Sequence, residues 1–126
     1  MKFDEKKPPR TFRVGALQQI DMRDCGNLRL EPDEQITLTT ESGGEYDVSR
    51  KDWGFYATPS LNGRLPSFGL RGVLIKNRGT GRYFVFLVEH GKDAEFEEYL
   101  RIENLVIVAW LDTDEALRKL EASVSP

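Results

Sequence analysis

Apolar and polar positions change their spacing along the chain, which separates a strand-rich first part from a helical end. Alternation with a period of two, typical of strands, occurs in NLRLE, EQITLTT and EYDVS. Pro32-Asp33 and Ser42-Gly43-Gly44 separate these runs and predict turns. We therefore expect a hairpin or short meander over NLRLE and EQITLTT, followed by a further strand in EYDVS.

Residues with a high preference for strands dominate the middle of the chain. GVLIKN and RYFVFLVEH, joined by RGTG, predict a β-hairpin, because Gly79 and Gly81 supply the positive φ that a tight connection needs. WGFYAT predicts another strand. The continuously apolar run LVIVAWLD predicts an internal strand that is buried on both faces.

Helical spacing begins after residue 91. Apolar residues in KDAEFEEYLRIEN recur every three or four positions, with Asp93 as an expected N-cap and Asn104 at the expected helix end. Asp112 and Glu115 resemble a capping box in front of a second short amphipathic helix. The predicted fold class is α+β, with a mostly antiparallel sheet and two short C-terminal helices.

Length and composition indicate one globular domain. We expect a flexible N-terminal arm over residues 1–10 and a single α+β domain over residues 11–126, since 126 residues match one domain of common size. No apolar run approaches the roughly 20 residues that a membrane-spanning helix needs, and we expect no membrane span. The charged start, MKFDEKKPPR, lacks the apolar stretch of a secretory signal, so we expect a cytoplasmic protein.

Few residues are available for metal or cofactor chemistry. Cys25 is the single cysteine and His90 the single histidine, which excludes an internal disulfide and a His-rich zinc site. A small thiol that fills a turn or is buried is the ordinary interpretation of Cys25. The glycines match neither a Walker loop nor a dinucleotide-binding pattern. We therefore expect no metal and no cofactor.

The segment KDWGFYATPSLNGRLPSFGLRG, residues 51–72, combines aromatic rings with amide and guanidinium groups. Sugar and nucleotide ligands require flat rings beside such hydrogen-bond donors, so the segment predicts a binding loop. Core packing for the aromatic residues, and a turn-forming role for Asn62, remain open alternatives. The candidate ligand-binding residues, which we expect around one common hollow, are Arg50, Lys51, Trp53, Tyr56, Asn62, Arg64 and Arg71.

Charge is distributed unevenly around this loop. Residues 50–82 contain seven positive charges and one negative charge, a net charge of +6, whereas residues 93–121 contain nine acids and three bases, a net charge of −6. This asymmetry can steer an anionic ligand to one face, or it can belong to two solvated surfaces. The acidic overall balance, with a net charge of −3, and the lack of a recognisable motif argue against nucleic-acid binding.

Acid–base chemistry is possible but not specified by any motif. On the strand EYDVS, alternation places Tyr46 on the face opposite Asp47. The candidate acids and bases are Tyr46, Asp47, Tyr56 and His90, and a solvated turn is the ordinary setting for His90.

Two stretches, EYDVSRKDWGFYATPSLNGRL and GRYFVFLVEHGKDAEFEEYL, resemble an uncharacterised family of small bacterial and archaeal proteins. The genes of that family are found near genes for cell-surface polysaccharide and sugar-nucleotide biosynthesis. The likeness covers residues 12–111, and its most specific part is DWGFYATPSLNGRL. The resemblance implies a cytoplasmic accessory role near sugar metabolism, and it brings no catalytic residues.

Three functions follow as hypotheses. The first is an accessory protein that binds an anionic sugar, a nucleotide-sugar or sugar phosphate, in surface-polysaccharide metabolism. The second is a small sugar-modifying enzyme of the isomerase or epimerase type. The third is a protein-interaction subunit that partners a glycosyltransferase or another biosynthetic enzyme, or forms a homodimer.

Overall fold

The computed structural model describes residues 1–15 and 19–124. Within them the chain forms three antiparallel sheets and three helices, which confirms the predicted α+β class. The strands are β1 (Lys2–Val14), β2 (Ile20–Arg29), β3 (Gln35–Thr39), β4 (Glu45–Lys51), β5 (Gly54–Ala57), β6 (Leu70–Asn77), β7 (Tyr83–Glu89) and β8 (Leu105–Trp110). The helices are α1 (Arg64–Ser67), α2 (Asp93–Ile102) and α3 (Asp114–Val124).

Strands β1 and β2 pair with each other to form a long two-stranded ribbon. Their register is regular from Lys2 to Glu5 and from Arg10 to Val14, and it shifts between these stretches. The dipeptide Pro8-Pro9 lies where the register shifts. Proline has no backbone N–H to donate to the neighbouring strand, so regular pairing is interrupted there. Residues 1–10 were expected to form a flexible arm. In the structure, the chain from Lys2 onward belongs to β1, which pairs with β2.

One face of the ribbon is apolar near its tip. Phe12 pairs with Met22 and Val14 pairs with Ile20, and alternation puts all four side chains on the same face. Each of the four is more than one third exposed. The ribbon thus presents an apolar surface that its own two strands do not cover.

Strands β3, β4 and β5 form the second sheet, with β4 in the centre. The predicted turn at Ser42-Gly43-Gly44 connects β3 to β4, and the predicted alternation of β4 is confirmed. Tyr46 faces Leu38 across the sheet, whereas Asp47 and its cross-strand partner Thr37 point to the other face. This sheet carries the aromatic and charged residues of the predicted binding loop.

The third sheet has the strand order β7-β6-β8, and helix α2 covers one of its faces. Val73 and Ile75 of β6 are fully buried there, and Val88 of β7 is nearly so. Phe96 and Leu100 of α2 pack against this cluster from above. The predicted hairpin of β6 and β7 is confirmed, and it supplies the core of the protein.

The opposite face of this sheet meets the connection between β5 and β6. Leu65, in the short helix α1, is almost completely buried, and its side chain approaches Gly72 on β6. A Cβ atom at Gly72 would lie 2.9 Å from the side chain of Leu61. Glycine at this position therefore allows the connection to pack closely on the sheet.

The structure differs from the prediction in one strand pairing and in the position of one strand within its sheet. The strands predicted as a β2–β3 hairpin are not partners: β2 pairs with β1, and β3 pairs with β4. The turn between them does form, with Asp33 at a φ of 67°. Strand β8 was predicted to be internal, but it lies at the edge of its sheet, and Val108 is about half exposed.

The start of α3 also differs from the prediction. The hydroxyl of Thr113 accepts a hydrogen bond of 3.1 Å from the Ala116 N–H, so Thr113 caps the helix in place of Asp112. The carboxylate of Asp112 is instead bound by Arg71 at 2.6 Å. The predicted helix is present, and its cap and acidic first turn stabilise its N-terminus. It begins at Asp114, one residue later than a cap at Asp112 would give.

Replacement of Ile75 by alanine tests whether this small core holds the fold together. We expect Ile75→Ala to lower the free energy of unfolding by about 2–5 kcal/mol, since it leaves a cavity between β6 and α2. Urea denaturation followed by circular dichroism measures the change. The matched control is Val108→Ala at the exposed edge, with an expected loss below about 1 kcal/mol. Equal losses in the two variants would contradict this placement of the core.

Candidate functional site

Arg50 is bound to backbone carbonyl groups of the protein itself. Its guanidinium group donates hydrogen bonds to the carbonyl of Leu30 at 2.7 Å and to the carbonyl of Lys51 at 3.1 Å. The backbone N–H of Asp33 donates to the Arg50 carbonyl at 2.7 Å. Arg50 therefore fastens the turn between β2 and β3 to β4, which is a structural role.

Lys51, Trp53 and Tyr56 do gather at one corner of the second sheet. The rings of Trp53 and Tyr56 are stacked with centroids 6.0 Å apart, and both are exposed. Lys51 forms an ion pair of 2.6 Å with Asp33. This pair raises the pKa of Lys51, and the nearby Tyr56 contributes in the same direction. The corner combines two flat rings with one cation that is already neutralised.

Asn62 and Arg64 lie in two other places. The Asn62 side-chain amide donates to Asp114 of α3 at 2.6 Å and lines a cleft beside that helix. Arg64 lies 3.7 Å from the carboxylate of Asp47 and 5.2 Å above the ring centroid of Phe68. Each side chain thus makes a contact within the protein that accounts for its position.

Arg71 forms the most buried of these charge contacts. Its guanidinium carbon lies 3.8 Å from the ring centroid of Trp110, and its Nε donates to the carboxylate of Asp112 at 2.6 Å. The Asp112 side chain is only 11% exposed. Because Asp112 follows β8, the contact fastens the connection between β8 and α3 to β6.

Of the seven residues predicted to share one hollow, Lys51, Trp53 and Tyr56 lie close together. Each of the other four contacts a different partner within the protein: Arg50, Asn62, Arg64 and Arg71. The cleft that Asn62 lines includes none of the other six. The physical reason is that nearby acids or carbonyl groups bind the cations, and sequence spacing did not indicate those partners.

The four acid–base candidates also occupy separate surroundings. Asp47 is buried, accepts a hydrogen bond from the Thr37 hydroxyl and faces away from Tyr46. His90 is exposed in the turn after β7, as expected, and Tyr56 stacks on Trp53. Within residues 1–15 and 19–124, no cluster of three or more metal-binding side chains could hold a metal ion. Cys25 is an exposed free thiol in β2 and is neither in a turn nor buried.

A wide recess lies elsewhere, between β7 and α2. It is an open groove with a volume of about 840 Å³. Five consecutive residues of β7, 85–89, line one side. Phe96 and Tyr99 of α2 line the other side, and Ser42 lies at one end. Because an unbroken stretch of strand forms its wall, the groove runs along the edge of the sheet.

The hydrogen bonds at the two ends of β7 determine which backbone groups point into this groove. The Asn77 N–H donates to the Arg82 carbonyl at 2.8 Å, and the His90 N–H donates to the Gly69 carbonyl at 3.0 Å. Hydrogen-bonded pairs alternate along an antiparallel ladder. The even-numbered residues of β7 therefore bond to β6, and the odd-numbered residues direct their N–H and C=O groups outward.

Val85 and Leu87 consequently present unpaired backbone groups along the groove. In the described part of the chain, no strand pairs with this edge of β7. The Val85 side chain is 62% exposed, although β7 is one of the most apolar segments of the protein. Exposed edges of this kind readily accept a further strand.

Acidic side chains outnumber basic ones at the rim of the groove. Glu89 and Glu95 line it together with one base, Lys92. Hydrogen bonds from the hydroxyls of Ser42 and Thr40 hold the pKa of Glu89 below its ordinary value, so this carboxylate stays charged to a lower pH than an ordinary glutamate does. The surrounding stretch 89–103 contains six acids and two bases, a net charge of −4.

The total surface is large for a chain of this mass. Its accessible area is 9154 Å², whereas a compact monomer of 14.4 kDa exposes about 6,800 Å². The difference exceeds the roughly 800 Å² that each partner buries in a standard protein interface.

No helix in the described residues is long and apolar enough to cross a membrane.

Comparisons with protein-family models, curated proteins and solved structures found no match to this chain.

Sequence reasoning missed the groove because it depends on strand order. The apolar run YFVFLV was expected to be a hairpin strand, and nothing in it indicates that its outer edge is free. The available signal was that the run is apolar on both faces, which is unusual for an edge strand. Tyr99, three residues after Phe96, follows the helical spacing of α2, and that spacing does not indicate that it borders the groove.

The contacts of Arg71 predict a structural role that can be measured. We expect Arg71→Met to lower the free energy of unfolding by about 1–3 kcal/mol, because it leaves the carboxylate of Asp112 without its charged partner. Denaturation with urea gives the stability, and the emission of Trp110 reports the lost stacking. Arg64→Met is the control, with an expected loss below about 1 kcal/mol for its more exposed pair. An Arg71→Met variant as stable as the wild type would contradict the assignment.

Proposed function

We propose that this chain is a protein-interaction subunit whose groove between β7 and α2 receives an extended segment of a partner protein. The observation that carries the proposal is the free edge of β7, whose outward N–H and C=O groups line an open, mostly apolar groove. An added strand satisfies those backbone groups and places alternate side chains against Phe96 and Tyr99. No catalytic group is needed for this activity.

The chemistry of the groove defines the kind of segment that fits. Five residues of β7 match a strand of ordinary length, so the segment is extended and about five residues long. Its apolar side chains pack on Phe86 and Phe96, and its remaining side chains are basic to match Glu89 and Glu95. The large exposed area of the free chain agrees with a protein that works in an assembly.

A short synthetic peptide provides a direct test. The probe is an acetylated, amidated hexapeptide of alternating arginine and valine, titrated into the full chain while amide chemical shifts are recorded by NMR. We expect saturable shifts at residues 85–89, because the peptide pairs with this edge. The control peptide has the same sequence with alternate backbone nitrogens methylated, which removes its donors, and it should cause no saturable shift.

Two substitutions at position 85 distinguish backbone pairing with β7 from binding through apolar side chains alone. Val85→Pro removes an outward N–H without removing a bond to β6, and proline is tolerated at such edges. We expect it to abolish the peptide-induced shifts, whereas Val85→Thr, which keeps the N–H, should retain them. Absence of saturable shifts in the wild-type chain, or equal binding by both variants, would exclude strand addition at this groove.

A second candidate function rests on the corner formed by Lys51, Trp53 and Tyr56. An anionic sugar, such as a nucleotide-sugar or sugar phosphate, can stack on the exposed rings while Lys51 contacts its phosphate. The exposed stacked pair of rings favours this interpretation. The ion pair between Lys51 and Asp33 opposes it, since a ligand phosphate must compete with that carboxylate.

Tryptophan fluorescence tests this second candidate with uridine diphosphate glucose as the probe. In a Trp110→Phe background, the emission reports Trp53 alone, and a sugar that stacks there should change it saturably. Trp53→Ala should lose binding in calorimetry, whereas Phe55→Ala, on the opposite face of β5, should keep it. If uridine diphosphate glucose does not change the Trp53 emission of the Trp110→Phe variant, this corner does not bind that nucleotide-sugar.

A further inference from the structure

The groove and the ribbon have complementary charges. Strands β1 and β2 together contain seven bases and four acids, a net charge of +3. Glu89, Lys92 and Glu95 line the groove, and the stretch 89–103 that contains them has a net charge of −4. All four acids of the ribbon already have basic partners within it, as in the pairs of Asp24 with Lys6 and Arg10. The surplus charge on the ribbon is therefore basic, which matches the rim of the groove.

The ribbon also has the shape that the groove requires. The outer edge of β1 is unpaired within the described residues, since its sheet consists of β1 and β2. Residues 10–14 form a regular stretch of five, as long as the stretch 85–89 that lines the groove. Phe12 and Val14 alternate with Thr11 and Arg13, so apolar side chains fall on one face and polar ones on the other.

Within one chain, the tip of the ribbon already lies beside α2. Ile20, from the apolar face of the ribbon, shares a cleft of about 180 Å³ with Tyr99 and Ile102 of α2. Tyr99 also borders the large groove, so the two apolar surfaces are continuous at this ring. The contact covers Ile20 only in part, and the ribbon packs little against the rest of the chain.

We propose that the groove of one copy receives the ribbon of a second copy, with residues 10–14 added as a strand to the outer edge of β7. This inference rests on the proposed function of the groove and names its partner as the same chain. Reciprocal insertion of two ribbons into two grooves closes a symmetric dimer. It also supports the ribbon, because an isolated two-stranded hairpin is only marginally stable in water. The excess surface of the free chain is large enough for both contacts.

Sedimentation velocity of the full chain at a series of concentrations tests the proposal. We expect a monomer–dimer equilibrium, and we expect Phe12→Asp to raise the dissociation constant by about tenfold or more, since it places a charge on the inserted apolar face. The matched control is Thr11→Asp, the neighbouring position on the opposite face, which should dimerise nearly as the wild type does. Val85→Pro should weaken the dimer through the groove, whereas Val85→Thr should not.

Mixing two defective chains distinguishes reciprocal insertion from other dimers. Phe12→Asp has an intact groove and Val85→Pro has an intact ribbon, so each homodimer lacks both contacts, but a mixed pair retains one. We expect the equimolar mixture to associate more tightly than either variant alone and less tightly than the wild type. Amide spectra of each variant alone, with the core resonances of β6 unchanged, establish that both are folded.

Several results would overturn the inference. A wild-type chain that stays monomeric at all concentrations, or a mixture that behaves as the sum of its components, excludes ribbon exchange. Equal weakening by Phe12→Asp and Thr11→Asp excludes insertion of the apolar face. If the chain is monomeric but the arginine–valine peptide still shifts residues 85–89, the groove binds a different protein and only this inference fails. If neither association occurs, the proposed function of the groove fails as well.

Discussion

Burial of Val73 and Ile75 between β7, β8 and α2 is the interaction on which the rest of the structure depends. These residues lie on β6, the strand that has a partner on both sides. A three-stranded sheet has one inner strand, so its two outer strands necessarily end in free edges. The packing of Phe96 on the core places α2 above the sheet and leaves a channel along β7. The same contacts that create the core therefore create the groove.

Such a small core has consequences for the rest of the chain. The second sheet and the ribbon add little fully buried apolar surface, and the ribbon exposes Phe12 and Met22. Apolar area left in water contributes nothing to stability, whereas each Å² covered contributes about 25 cal/mol. A partner that covers the ribbon and the edge of β7 therefore stabilises elements that the chain stabilises poorly by itself. In the proposed assembly, association and folding are linked for that reason.

Local patterns in the sequence predicted the elements better than their partners. The β6–β7 hairpin, the turn at residues 42–44 and the alternation of Tyr46 and Asp47 follow from period-two spacing and short turns, and all three are present. The predicted partner of β2 was wrong: the alternating runs on either side of Pro32-Asp33 indicated pairing with β3, whereas β1 is the partner that forms. Groove residues such as Val85 could not be recognised, since a free edge is a property of strand order.

The candidate site shows a second limit of sequence reasoning, which concerns charge. Arginines in an apolar, glycine-rich segment suggested an anionic ligand, but Arg71 is satisfied by Asp112, which is 41 residues away. A cation that already has an acid and a ring within the protein has little remaining affinity for a phosphate, because the ligand must first displace that acid. Backbone groups at an open edge have no such competitor apart from water. For this chain, the outward N–H and C=O groups of Val85 and Leu87 therefore provide a stronger basis for binding than its paired side-chain charges do.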